Sequence, residues 1–326
     1  MSQTTLTFDA LTRVTTQQQR THRHLRLAIG GTVVIILATV VVTSLQDGLL
    51  LSSISAYFYT PARGFFVGAL LAAALGILAL SGHGLQRILL DAAGVLAPLV
   101  ALVPTPIAHG SVPGFADSCP DDGGVCVPAE FVGTIDLGVN IYLAVGVLGL
   151  GLAIAVAVAP SGGMVSRART VLPSLAVSMG ILGLTAATFY GAHDWFLANA
   201  HFAAASLFFC LIALVALVNA IAAHVGGARA ARMTDPSLAR RGRWLVPAYW
   251  AVAAALILDI FYIASVVQLL SVDERASPPL VLFGEVAALL LFLVFWSLQS
   301  YQTWIDEDRP WRGRWRHSAE AFAKAA

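Results

Sequence analysis

Charge is scarce in this chain, and lysine is almost absent. Asp, Glu, Lys and Arg make up 11% of the 326 residues, against about 25% in a soluble domain. Lys324 is the one lysine, and it lies near the C-terminus. With no lysine in any apolar run, a retinal Schiff base within a helix bundle is excluded. No basic face exists outside the flanks of those runs, so no nucleic-acid partner is expected. The phosphate-cradling G-x-x-x-x-G-K-[ST] loop is missing, as are G-x-S-x-G and H-E-x-x-H. Haem held between helices wants paired intramembrane histidines, and only His201 is well inside a run. A zinc site needs three or four ligands. His109, His193 and His201 with Asp194 or Asp259 supply them only if the outer loops fold down, so no metal and no cofactor is expected.

What the chain has in abundance is apolar length. It is 58% hydrophobic, with mean hydropathy +0.80. Eight runs stand out, at 27–45, 64–81, 88–107, 137–159, 171–190, 196–224, 245–270 and 280–303. Each is near the ~20 residues that cross a ~30 Å hydrocarbon core. In lipid such runs must be helices, because nothing there pairs with an open backbone. The expected fold is all-α, a polytopic transmembrane bundle of about eight helices over 27–304. Polar tails flank it at 1–26 and 305–326. The long polar stretch before the first run argues against a cleavable signal.

Arginine placement gives the orientation. Arg13, Arg20, Arg23, Arg26, Arg87, Arg167 and Arg169 fall on one side of the eight runs. So do Arg229, Arg232, Arg240, Arg241, Arg243, Arg309, Arg312, Arg314 and Arg316. The other side has only Arg63 and Arg275. Positive charge marks the cytoplasmic face, so both termini are expected inside, in a plasma membrane. Trp244, Tyr249, Tyr301 and Trp304 fit an inner aromatic belt, and Tyr190 and Trp195 an outer one. Cys119 and Cys126 then lie in an extracytoplasmic loop at 109–136, where a disulfide is expected. Two free thiols or a metal pair are the other readings. The same loop carries Asp117, Asp121, Asp122, Glu130 and Asp136 without calcium-loop spacing. Cys210 is mid-helix and inert.

Small residues suggest packing faces. Gly64, Gly68, Ala72 and Gly76 form a stripe at spacing four. Gly146, Gly149 and Gly151 recur in the fourth run, and Ser174, Ser178, Thr185 and Thr188 share a face of the fifth. Pro98 is expected to kink the third helix.

Ionisable groups inside hydrocarbon are costly and mark function by default. Asp91 is one turn in and reaches Arg87, a helix-end ion pair. Asp259 lies about 22 Å from the inner end of the seventh run, with Tyr262 a turn outward as a hydrogen-bond partner. Glu285 and His201 lie roughly 8 Å inside the outer boundary. His201, Asp259 and Glu285 therefore share the outer half of three consecutive helices and are candidates for one polar pocket. The same three also suit an interhelical hydrogen-bond network that only fixes packing. His193, Asp194 and the segment Ser53 to Thr60 add outer-loop candidates.

The stretch S-I-S-A-Y-F-Y-T-P-A-R-G-F-F-V-G-A-L resembles a group of bacterial, largely actinobacterial, polytopic membrane proteins. P-T-P at 104–106, H-F-A-A-A at 201–205 and the stretch from Glu285 to Trp304 share in the resemblance. It covers most of 27–304 and implies a common helical fold in the plasma membrane, with no activity attached. Ser53, Ser55, Tyr57, Tyr59 and Arg63 carry its most distinctive part, as an interfacial or re-entrant lid or a ligand contact. Ceramidase-like and progestin-receptor-like hydrolases are a more distant comparison, and this chain lacks their repeated intrahelical histidines.

The expected role is non-enzymatic: binding a lipid or small-molecule ligand, or assembling with partners the sequence does not identify. A proton-coupled transporter using Asp259 and Glu285 is the alternative, and a membrane-embedded hydrolase the second.

Overall fold

The computed structural model describes residues 2–80, 84–115, 118–120, 124–158, 164–232 and 236–307. Side chains are described from residue 20 onward, apart from 158, 164–170, 226–232, 236–243 and 303–307. Each of the eight apolar runs forms a helix. In chain order these are α1 (Ser2–Asp47), α2 (Arg63–Ala79), α3 (Leu85–Leu102), α4 (Ala129–Val158), α5 (Met164–Gly191), α6 (His193–Arg232), α7 (Pro236–Leu269) and α9 (Leu280–Glu307). A short α8 (Val272–Ala276) joins the last two. Seven are long and apolar enough to cross a membrane, while α2 is a shorter apolar helix. The charged tail positions Asp117, Asp121, Asp122 and 308–326 lie outside the described residues.

Helix limits differ from the apolar runs for local reasons. The third run was expected to reach residue 107, but α3 stops at Leu102, just before Pro104 and Pro106. Prolines disfavour helix at the residue before them and cannot donate. Several other helices run past their apolar segments, because polar flanks can keep helical hydrogen bonds in water.

Two polar motifs close the end of the bundle opposite the arginines. A 3-10 turn, Ser55–Tyr59, lies between α1 and α2. Between α3 and α4, Ile107–Ala108 pairs antiparallel with Val125–Cys126, and the disulfide Cys119–Cys126 staples this hairpin. His109 Nδ1 lies 2.9 Å from the Cys119 carbonyl. In α8, Ser271 and Glu274 form a reciprocal capping box, and those hydrogen bonds lower the Glu274 carboxyl below its usual range.

Side chains pack in two stacked clusters. One, toward the motif-bearing end, gathers Ile36, Ile54, Tyr57, Phe58, Tyr59, Phe66, Leu99, Val103 and Phe196. The other gathers Ile29, Val33, Ile77, Leu90, Tyr249, Phe292, Phe295 and Trp296. At the arginine-bearing end, the Arg26 guanidinium lies 5.4 Å from the Trp296 ring centroid. Trp296 Nε1 donates to the Arg26 carbonyl at 2.8 Å, and Tyr249 donates to Gln302 at 2.8 Å. Asp91 accepts from Arg87 Nε at 3.4 Å and also from Ser174 Oγ, so the helix-end pair ties α3 to α5.

The small-residue stripe of α2 is rotated from its expected place. A side chain at Gly64 or Gly68 would meet nothing within 4 Å, and Ala72 is exposed. The buried face of α2 is instead Phe66, Ala69, Ala73, Gly76 and Ile77. Only Gly76 makes a close approach: a Cβ there would fall 2.6 Å from Ile29. Gly94 and Gly146 are crowded in the same way by Leu78 and Leu182, and Gly149 and Gly151 are open. The α5 stripe does face inward, with Ser174, Ser178 and Thr185 buried. The helix α3 continues through Pro98, and Tyr142 donates to the Val95 carbonyl, in the preceding turn, at 2.9 Å.

Candidate functional site

The site begins where α3 breaks. The helical partner of the Val100 carbonyl would be the N–H of residue 104, and Pro104 has none. Thr105, between two prolines, has left the helix altogether. Open backbone in a bilayer is tolerated only where protein buries it or it lines a cavity. Here side chains supply the missing bonds. His201 Nδ1 lies 2.7 Å from the Val103 carbonyl, and the Val100 carbonyl lies against the same ring. The Thr105 N–H donates to Ser55 Oγ at 2.9 Å. Tyr59 donates its hydroxyl to the Thr105 carbonyl at 3.0 Å, and Ser53 Oγ is 3.3 Å from Thr105 Oγ1. Burial raises the Tyr59 phenol above its ordinary pKa, so it stays protonated as this bond requires.

The 3-10 turn that delivers these side chains is itself held from two sides. Ser53 Oγ accepts the Ala56 N–H at 3.0 Å, a local hydroxyl cap. The Glu285 carboxylate accepts the Ile54 N–H and is hydrogen-bonded by the Ser55 backbone. The Leu282 N–H, one of the free donors in the first turn of α9, bonds the Ser52 carbonyl at 3.0 Å. Tyr57 shares a 2.5 Å hydrogen bond with Ser44. Ser53, Ser55, Tyr57 and Tyr59 are all buried, so the distinctive segment is an inserted plug. Arg63 lies 5.4 Å from the Phe58 ring centroid and 5.6 Å from that of Phe131.

His201 thus joins Ser55, at 3.4 Å, and the plug joins Glu285. A carbonyl is only an acceptor, so the Val103 contact assigns the imidazole proton to Nδ1 and leaves a lone pair on Nε2. All three side chains line one cavity of about 90 Å³. It lies at the seam between the two clusters. Val33 and Phe292 come from one, and Ile36, Ile54 and Phe66 from the other.

Asp259 does not line that cavity. It is partly buried, and its Oδ2 makes no hydrogen bond. The expected bond from Tyr262 is not made: the phenol points to the Leu280 carbonyl at 3.3 Å. A tight α7–α9 approach explains this, since a Cβ at Gly284 would fall 2.5 Å from Ile263 and 3.2 Å from Tyr262.

The outer-loop candidates belong elsewhere. His193 Nε2 is 2.8 Å from Asp136, which clamps α6 to α4. Asp194 is exposed in the first turn of α6, where the helix dipole favours an acid. Among the described residues no group of three or more His, Cys, Asp or Glu is placed to hold a metal ion. Thr105, the Val103 carbonyl and Thr32 were not anticipated. Pro104 was the available signal for the first two, because a proline there ends the helix beside them.

Comparison of the chain with protein-family models, with curated proteins and with solved structures finds no match. Its class therefore rests on its own architecture, a mostly helical bundle with seven membrane-length apolar helices among the described residues.

Proposed function

We propose that this is a multi-pass protein of a bacterial plasma membrane that binds a small, largely apolar ligand without transforming it. The arginine distribution supports both termini on the cytoplasmic side, and hence the plug, hairpin and cavity in the extracytoplasmic half. The resemblance of the plug segment to actinobacterial membrane proteins belongs to the same reading. A membrane-impermeant thiol reagent applied to whole cells after mild reduction should label Cys119 and Cys126. Labelling only after lysis would reverse the orientation.

One observation carries the binding role. The cavity combines apolar walls from α1, α2, α3, α6 and α9 with four polar residues, Thr32, Ser55, His201 and Glu285. Ligand sites have that constitution: mostly apolar lining with a few placed polar groups. The polar groups are also committed to backbone partners, which suits holding a ligand better than moving protons. Ala205 lines the cavity and makes no side-chain hydrogen bond, so Ala205→Trp fills the space and spares the plug. Mass spectrometry of the purified protein should find a co-purifying small molecule or lipid in wild type that Ala205→Trp loses. An unchanged complement in a folded Ala205→Trp protein would sink the binding reading.

A further inference from the structure

The cavity is built from acceptors. The Thr32 hydroxyl donates to the Ile29 carbonyl at 2.7 Å, so its proton is used within α1. The Nδ1 proton of His201 is used on Val103. What these residues and Glu285 leave for an occupant are lone pairs: Thr32 Oγ1, His201 Nε2 and the Glu285 carboxylate. Ser55 accepts from Thr105, and its hydroxyl hydrogen is the single donor left in the lining.

The charge is equally one-sided. Among the described residues lining the cavity there is one carboxylate and no arginine or lysine. Asp259, one turn before the Ile263 that crowds Gly284, adds a second carboxyl group, with an oxygen that makes no hydrogen bond. A buried carboxylate without a counter-charge is costly.

Four phenylalanines, Phe66, Phe208, Phe209 and Phe292, stand among the apolar lining residues. Aromatic rings attract cations through their quadrupole, more strongly where water is excluded. Three features of different origin thus favour one head group.

We propose that the cavity between Ser55, His201, Glu285 and the four phenylalanines is a site for an organic ammonium ion with an apolar body. The inference rests on the binding reading above and narrows it to a ligand class. The ammonium N–H groups donate to Glu285 and His201, and the apolar body lies among the phenylalanines. The volume suits a compact amine, or the head of an amine-bearing lipid whose remainder extends beyond the cavity.

The test uses the full chain in nanodiscs of phosphatidylcholine alone. The probes are 2-phenylethylamine, 2-phenylethanol and 3-phenylpropanoate, which share a ring and differ in head group. Saturable binding is read by calorimetry and by the shift in Tm. The amine should bind, the alcohol more weakly, and the carboxylate not at all. Glu285→Gln, which keeps an acceptor for Ile54, should weaken the amine by roughly thirtyfold or more and leave the alcohol nearly unchanged. If Glu285→Gln does not fold, Phe209→Leu serves, with an expected loss of about threefold or more for the amine. Equal binding of amine and alcohol, or preference for the carboxylate, overturns the ammonium site and leaves a pocket that Ala205→Trp still blocks. No binding of any probe overturns the ammonium site as well, and the binding reading then stands or falls on the co-purified complement. A second set of discs containing phosphatidylethanolamine separates the sources. Competition with the amine by that lipid assigns the site to a lipid head group, and its absence assigns it to a free amine.

Discussion

Glu285→Leu is expected to abolish recovery of folded protein, while Glu285→Gln is recovered near the wild-type level. The difference between them is one acceptor. Glu285 receives the Ile54 N–H and is bonded by the Ser55 backbone, at the start of a 3-10 turn that is buried throughout. Leucine has similar bulk and offers nothing to those donors. Each buried N–H left unpaired costs about 1–3 kcal/mol, and two are involved here. That is a large fraction of the ~5–15 kcal/mol by which a typical domain is stable. Glutamine keeps a carbonyl oxygen in the same place. Size-exclusion profiles and Tm in a mild detergent would decide the matter. Equal recovery of the two variants would show that the plug is held by something other than Glu285.

His201→Leu and Ser55→Ala should be strongly non-additive. Both serve the same broken end of α3, His201 at the Val103 carbonyl and Ser55 at the Thr105 N–H, and they touch each other at 3.4 Å. His201→Leu strips the Val103 and Val100 carbonyls of their side-chain donor, the second having already lost its helical partner to Pro104, at about 1–3 kcal/mol for each. Once the plug has shifted, the second loss should matter less. A double-mutant cycle on thermal stability is expected to give a coupling of about 0.5–3 kcal/mol. Coupling within error of zero would mean that the two residues act on separate parts of the bundle.

The membrane-length helices were legible because their signal is simple. An apolar run of about 20 residues has few other uses, and each of the eight is a helix here. The Cys119–Cys126 pair was legible for a related reason, as a short loop between two spans brings the cysteines together. That His201 and Glu285 could share one pocket was legible too, since each falls a similar number of residues from the outer end of its run, and both line the cavity. Rotation was not. Asp259 is off the cavity that the other two line, and Tyr262 turns to Leu280. The α2 glycines show the same limit: a stripe at spacing four defines a face, without saying what that face meets. The packing partner depends on neighbours far away in the chain. The role of the plug was half legible. Its serines and tyrosines were conspicuous, and so was P-T-P. Joining the two required noticing that prolines at the end of a membrane helix create carbonyls that another segment must serve.

The partners of the plug come late in the chain. Ser55 and His201 are 146 residues apart, and Ile54 and Glu285 are 231 apart. During synthesis, the segment after α1 therefore leaves the ribosome long before the groups that satisfy its backbone. Until α9 packs in place, the Ile54 N–H lacks the acceptor it has in the folded protein. Nascent chains interrupted before Glu285 would display an unfinished rim to the cell, a ready mark for proteolytic quality control. The final helix acts as a latch on assembly as well as a wall of the cavity.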